Sequence, residues 1–386
     1  MLGHWISALL PLASLLGSSY ASEYGDLGGI DSPQAFKDFE AKYASSMNEL
    51  LQHRPRNCTK ANVAIRRSWE SMSKKERLDY IRAIKCLHKK PTRGNLALSP
   101  GNENRLDDFT SSHINSSLYI HQSGFFLPWH RYFVWSFEKA LREECDYRGY
   151  QPYWDFARWS DDQLDSPLFD GSSTSLGGDG EDIGESAKFL DIPGIPVKAN
   201  FTVPAGTGGG CVTSGPFAPF NVSLGPVTPG HPPTPGDTFG LQYNPRCLTR
   251  SFIPAVSKQY LTWDVLVDLL QSHDIHRFRP LFEDGNGIHP MTHAAIGGLA
   301  LDFFASPGDP VFYFLHGQLD RIWALWQGQN WHERRDALDG TETFQNLVPS
   351  PNVTLDTPMN MYYAGGKIPV RNAMSTIDGP FCYIYE

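Results

Sequence analysis

Six histidines gathered in apolar stretches constrain this chain more than any other feature. The first stretch, HINSSLYIHQSGFFLPWHR, runs from residue 113 to 131 and carries His113, His121 and His130 among aromatic and aliphatic side chains. Two further stretches are GIHPMTHAAIGG, with His289 and His293, and DPVFYFLHGQLDR, with His316. Imidazole is costly to bury unless its ring nitrogens have partners. A fold that buries these stretches must therefore bring something to the rings. His289 and His293 are four apart, which on a helix places their Cβ atoms on one face about 5–6 Å apart, so two rings can meet one metal. His316 belongs to the next helical stretch, with Asp320 one turn on. His113, His121 and His130 are spaced by eight and nine residues, too far for one helical face within a turn, so at least two elements converge there. Taken singly, each histidine reads as a hydrogen-bonded core or surface residue. Two groups of three, each beside Asp or Arg, read as metal ligands. All-imidazole ligation suits Cu, Zn, Fe or Ni and lacks the carboxylates that favour Mg or Ca. No glutamate stands between His289 and His293, which excludes the HExxH zinc-protease arrangement.

The remaining composition narrows the setting. An apolar run from Ile6 to Leu16, followed by Ser19-Tyr20-Ala21, reads as a signal peptide over residues 1–21. The run is shorter than the roughly 20 residues of a membrane anchor, and no later stretch is long and apolar enough to span a bilayer. Six cysteines, Cys58, Cys86, Cys145, Cys211, Cys247 and Cys382, suit three disulfides; without a CxxC pair they do not suit zinc. Asn-x-Ser/Thr sequons stand at Asn57, Asn115, Asn200, Asn221 and Asn352. Together these features predict a secreted, extracellular protein. A formal charge of −9 without a basic run argues against a nucleic-acid partner.

Along the chain, residues 22–57 read as an N-terminal arm with a helix around Pro33 to Leu51. Ser73 caps a helix predicted from Lys74 to Cys86, with Leu78, Ile81 and Ile84 at helical spacing. Further helices are predicted from Pro128, over Thr262 to Ser272, over His289 to Ala300, and over Pro310 to Trp326 with Asp309 as N-cap. Residues from about 170 to 250 are rich in Gly, Pro, Ser and Thr and read as an irregular insertion, stapled by cysteines. The Gly206 to Gly210 run lacks the Lys-Ser/Thr and strand–helix context of a phosphate loop. The expectation is a mainly α fold with long disulfide-stapled loops.

At this resolution of detail the sequence resembles a family, the type-3 copper proteins, which comprise tyrosinases, catechol oxidases and haemocyanins. It is most similar to the short, secreted fungal polyphenol oxidases. The first signature is His121, then Phe126-Leu127-Pro128-Trp129-His130-Arg131, then Val134 and Glu138; the second is Asp309-Pro310-Val311-Phe312-Tyr313, then His316 and Asp320. Arg66-Arg67-Ser68-Trp69, Pro152-Tyr153-Trp154-Asp155 and Tyr383-Ile384-Tyr385 extend the likeness over residues 58–386. The resemblance implies a central four-helix bundle holding two copper ions. His113, His121 and His130 would bind the first, and His289, His293 and His316 the second. His113 lies outside the short signature, and His88 competes for its place. The implied partners are a phenolic small molecule and O2, and the implied reaction is oxidation of o-diphenols, or o-aminophenols, to o-quinones. An oxygen carrier uses the same ligands, but as part of very large assemblies.

Several positions bear on which reaction is run. Many tyrosinases carry Asn after the first ligand of the second copper, where it helps hold a water that deprotonates monophenols; here that residue is Pro290. Glu283 is another candidate holder for such a water. Leu315 stands where many members have a histidine, and Phe303 aligns with a bulky residue over the copper; core packing is the plainer reading of both. Asp320 is expected to fix an imidazole tautomer, or else to form a salt bridge with a neighbouring Arg, while Arg131 and Glu138 read as structural. Tyr119 replaces the Cys that forms a thioether in some relatives, so no such crosslink is expected. The expected disulfides are Cys58–Cys382, Cys86–Cys145 and Cys211–Cys247. These positions favour a catechol oxidase with weak monophenol hydroxylation over a tyrosinase-type monooxygenase acting on a dedicated pigment or secondary-metabolite phenol.

Overall fold

The computed structural model describes residues 29–53, 58–189, 202–227 and 239–386. The expected signal peptide and the sequons at Asn57 and Asn200 lie outside the described residues. The chain is mainly helical: α1 (Ser32–His53), α2 (Lys74–Leu87), α3 (Arg105–Ile120), α4 (Phe126–Cys145), α5 (Pro254–Tyr260), α6 (Trp263–Leu270), α7 (Ile275–Glu283), α8 (Ile288–Ile296), α9 (Val311–Gln329) and α10 (Trp331–Arg334). Helices α3, α4, α8 and α9 form the central bundle. The strands are short pairs at its margins, and one of them joins distant parts of the chain: Ala64–Arg66 runs parallel to Tyr383–Tyr385.

Local chemistry sets the helix ends. Ser73 starts α2 with a reciprocal capping box, its hydroxyl accepting from the Glu76 N–H while its own N–H donates to the Glu76 carboxylate at 2.8 Å. The face that α2 buries includes Ile81 and Ile84, as expected, with Tyr80 and Leu87, whereas Leu78 is 42 % exposed and does not belong to it. Asn104 and Asp107 make a second box at the start of α3. That helix was missed from sequence. Its polar residues are buried and satisfied locally, Ser112 and Ser117 bonding back to the carbonyls of Asp108 and His113. Helix α8 stops at Ile296, short of the expected Ala300. The reason is Gly297, at φ 63°, where a Cβ would stand 2.2 Å from the Ser251 carbonyl oxygen. At the start of α9, Asp309 accepts from the Val311 N–H at 3.0 Å and is clamped by both forks of Arg250 at 2.8 Å.

Where irregular backbone was expected, the described part of residues 170–250 also carries short antiparallel pairs, Gly180–Asp182 with Gly209–Val212 and Asn221–Val222 with Arg246–Cys247. Its glycine run serves close packing: Thr207 and Gly209 donate to the carbonyls of Phe252 and Arg250, and a Cβ at Gly206 would meet the Ser251 hydroxyl at 2.1 Å. All three expected disulfides are present, with Cα–Cα distances of 5.2 Å for Cys58–Cys382, 5.8 Å for Cys86–Cys145 and 5.6 Å for Cys211–Cys247. Among the described residues no helix is long and apolar enough to cross a membrane.

Ser73→Ala is expected to cost about 1 kcal/mol at neutral pH. Hydrogen bonds from Ser73, then Arg67, hold the Glu76 carboxyl down at about 2, below its ordinary 4.5. The contribution of a depressed carboxylate is complete above the unfolded value and is lost as pH falls toward the folded one. Denaturant titrations at pH 7 and pH 3 should therefore show the gap between parent and variant narrowing in acid; an unchanged gap would remove Glu76 from the account.

Candidate metal centre

Each ligand position follows from where its helix begins or ends. His113 lies mid-α3. His121 follows that helix's last residue in extended backbone, which swings its ring back toward the bundle. His130 is on the second turn of α4, His289 and His293 are one turn apart on α8, and His316 is on α9. Within each triad, His113–His121–His130 and His289–His293–His316, one ring nitrogen from every residue lies within 4.8 Å of the others. The triads face each other. His130 stacks on His316 at 4.6 Å between ring centroids, and His121 on His289 at 5.7 Å.

Hydrogen bonding says which nitrogen is free. Nδ1 of His113 donates to the Phe304 carbonyl at 2.7 Å, that of His121 to Ser117 at 2.9 Å, that of His130 to Phe126 at 2.8 Å and that of His293 to Ala300 at 2.6 Å. A carbonyl only accepts, so in these four rings the proton sits on Nδ1 and Nε2 carries a lone pair. Nε2 of His113, His130 and His289 is buried without a hydrogen-bond partner, and the Nε2 atoms of His293 and His316 face each other at 3.2 Å. Burial, reinforced in most by neighbouring histidines, keeps the rings unprotonated. His121 falls to about 3 and His293 to about 4, and the other four are held well below the ordinary imidazole value. Orphaned lone pairs on neutral rings, converging in two groups of three, fit two imidazole-loving metal ions.

The other singled-out residues are disposed as follows. Phe303, half-buried, lays its ring 4.5 Å from that of His121. Pro290 is in the first turn of α8, where a missing N–H costs nothing. Leu315 is fully buried in the core. Glu283 ends α7 with its oxygens engaged: Oε1 takes Arg279 Nη1 at 2.7 Å and Oε2 takes the Gln122 N–H at 2.7 Å. Burial pushes its carboxyl up to about 8, against the pull of Arg279. It thus tethers the turn that follows His121. Asp320 touches no imidazole in the hydrogen-bond network. Its carboxylate takes Arg131 Nε at 2.6 Å, the hydroxyls of Tyr383 and Tyr385 at 2.6 Å each, and Arg66 Nη1 at 3.4 Å. The expected tautomer role falls to backbone carbonyls instead, because Nδ1 of four ligands already has one. Burial alone would raise the Asp320 carboxyl; Arg131, Arg66 and the two tyrosines outweigh it and hold the group below its ordinary value. Glu138 pairs with Arg66 at 2.9 Å. His88 lies elsewhere, its Nε2 on the Asn221 carbonyl at 3.0 Å and its ring on Phe220.

Sequence reasoning missed Phe304 and Ala300, whose main-chain oxygens orient ligands and leave no trace in residue type. It also missed Phe312, stacked 4.1 Å from His316, and Phe344, at 5.8 Å from Phe303. The FYFLH run could have placed Phe312 one helical turn before His316.

Comparison with known proteins agrees with this geometry. A family model described as the common central domain of tyrosinase matches residues 103–329. The chain is 41 % identical over 332 residues to "Tyrosinase P" of Aspergillus terreus, covering 83 % of this chain and 91 % of that one. It is 43 % identical over 305 residues to "Tyrosinase-like protein orsC" of Emericella nidulans, covering 76 % and 82 %. It is 35 % identical over 351 residues to "N-acetyl-6-hydroxytryptophan oxidase ivoB" of the same organism, covering 85 % and 94 %. Among solved structures, a variant polyphenol oxidase from Thermothelomyces thermophila superposes with a TM-score of 0.85 at 39 % identity, covering 92 % of this chain and 98 % of that one.

His113→Ala should lower bound copper from two ions per chain toward one, while His88→Ala should keep both. Metal analysis after dialysis decides between them; loss of copper in the His88 variant alone would reverse the ligand assignment.

Proposed function

Since this chain belongs to the tyrosinase family and carries its dicopper histidine triads, we propose that it uses O2 to oxidise o-diphenols, or the related o-aminophenols, to o-quinones, with weak hydroxylation of monophenols. The observation that carries the reading is the facing pair of triads with their Nε2 lone pairs turned inward. Copper held there supplies electron acceptance and a template for phenol oxygens. The protein's own part is positional. Carbonyls of Phe304, Ser117, Phe126 and Ala300 hold four rings in one tautomer, so the imidazoles need little rearrangement as charge develops. The Phe303 ring over His121 offers an aromatic face along which a phenol ring can stack.

The preference for diphenols rests on what stands beside the second triad. Pro290 has no polar side-chain atom, and both Glu283 oxygens are committed to Arg279 and the Gln122 N–H. Pro290 therefore cannot help hold a water that would take the proton of a monophenol, a proton a catechol loses more readily, and Glu283 is turned toward Arg279 and the Gln122 N–H. The second reading, a monooxygenase for a dedicated pigment or secondary-metabolite phenol, is favoured by the likeness to one relative, the N-acetyl-6-hydroxytryptophan oxidase of Emericella nidulans.

We further read the protein as exported through residues 1–21 and glycosylated. The three disulfides support an oxidising compartment, and Asn221 and Asn352 are exposed. Asn115 sits within α3 with its amide donating to the Ser111 carbonyl, a poor acceptor geometry.

Oxygen uptake by the copper-loaded protein, given catechol and phenol separately, tests the reading. Rapid uptake with catechol and little with phenol is expected. Pro290→Asn should raise the phenol-to-catechol rate ratio by about tenfold or more, toward what a positioned base contributes. Comparable rates on both substrates in the parent protein would sink the diphenol preference.

A further inference from the structure

The peptide between Phe304 and Ala305 is gripped from both sides. Its carbonyl accepts the Nδ1 proton of His113 at 2.7 Å, and its N–H donates to Oδ1 of Asp302 at 2.8 Å. A trans peptide is planar, with N–H and C=O pointing opposite ways, so whatever holds the N–H aims the carbonyl. The same Oδ1 takes the Phe304 N–H at 2.9 Å. That bond fixes the preceding peptide and with it Phe303, whose ring lies 4.5 Å from that of His121. Asp302 thus closes the turn as aspartate commonly does, by accepting from main-chain N–H groups just ahead of it. Its own backbone is tied as well, the N–H to the Leu299 carbonyl at 3.0 Å and the carbonyl to the Ser306 N–H at 3.1 Å.

The other two ligands of the first triad are oriented differently. His121 and His130 use the carbonyls of Ser117 and Phe126, which lie in α3 and α4 four residues before each ring. The carbonyl for His113 comes from 191 positions away, out of the stretch between Leu301 and Ser306 that no helix holds. A side chain has to supply there what a helix supplies elsewhere. Oδ2 of Asp302 has a second partner, the Val227 N–H at 2.7 Å. Val227 belongs to the insertion, which Cys211–Cys247 staples and which presses on the same turn: a Cβ at Gly225 would stand 2.7 Å from the Ala305 Cβ, and the Phe239 ring lies 4.7 Å from that of Phe304.

We propose that Asp302 is a positioning residue for the first copper. Its Oδ1 sets the Phe304–Ala305 peptide and thereby aims Nε2 of His113 at the metal, while Oδ2 fastens the insertion to the turn that does so. The inference takes the dicopper site as given and is independent of which phenol is oxidised. Losing a group that orients a metal-bound histidine costs about ten- to hundredfold in metal affinity. The cost falls on the first ion alone, because His293 of the second triad takes its bond from Ala300, ahead of the turn. Asparagine at this position keeps an oxygen for the two N–H groups of the turn but offers an amide to Val227; alanine keeps neither contact.

The test titrates the copper-loaded parent, Asp302→Ala and Asp302→Asn with a chelator, beside Ser73→Ala as a variant weakened at a distant helix cap. Where the parent and Ser73→Ala retain two ions, Asp302→Ala should retain one and Asp302→Asn close to two. The ion left in Asp302→Ala should give the same electron paramagnetic resonance spectrum as the one left in His113→Ala, since both variants keep the second copper. A parent-like titration of Asp302→Ala, loss of both its ions together, or a residual spectrum unlike that of His113→Ala overturns the proposal. So does an Asp302→Asn protein that sheds copper as readily as Asp302→Ala. Should Asp302→Ala not fold, Asp302→Ser takes its place: weaker retention of one ion than in Asp302→Asn supports the assignment, and equal retention refutes it. None of these readings uses turnover, so they decide the matter even if the protein oxidises neither catechol nor phenol.

Discussion

The carboxylate of Asp320 is the point on which the bundle turns. It is buried and ionised, a state that in isolation would cost several kcal/mol. Two guanidinium groups and two tyrosine hydroxyls, from three separate parts of the chain, offset that cost. Arg131 directly follows His130, and Asp320 lies one helical turn after His316. The ion pair that locks α9 to α4 therefore also brings one ligand of each triad into register, and the stacked rings of His130 and His316 are its visible result. Arg131 is further held by the Met374 carbonyl and lies 3.6 Å over the Trp323 ring. Neither helix can slide without breaking several charge-assisted bonds at once.

The centre itself is assembled from main-chain oxygens and uncharged rings. Four ligands are oriented by carbonyls rather than by carboxylates, so no negative charge is placed behind these imidazoles. The Asp320 carboxylate spends its charge on arginines and tyrosines. The ligands stay neutral, their donor strength raised by carbonyl dipoles rather than by full negative charges, while rigidity comes from the ends of α3, α4 and α8.

What could be read from the sequence divides along a physical line. Ligand identity was legible, because six histidines in apolar surroundings have few explanations. Helices with one wet face, such as α2, were legible to within a residue or so from their caps. Helix α3 was not, since a helix buried on all sides shows no alternation of polar and apolar residues; only Asn104 and Asp107 betrayed it. The role of Asp320 was misread because sequence offers its neighbours along the chain, whereas its true partners are 63, 65, 189 and 254 positions away. The fold-back of residues 340–351 was equally hidden, as nothing in their composition says that they pack onto Gln122 and Gly124.

The pairing of Ala64–Arg66 with Tyr383–Tyr385, sealed beside it by Cys58–Cys382, has a consequence in time. Chains emerge from the ribosome amino terminus first. All four bundle helices are complete by Gln329, yet Asp320 waits for its two tyrosines until residues 383 and 385 have been made. Throughout that interval the nascent bundle lacks the clasp that closes its base. The clasp is thus drawn last, by a strand that pairs with one of the first, after every histidine of both triads has been made.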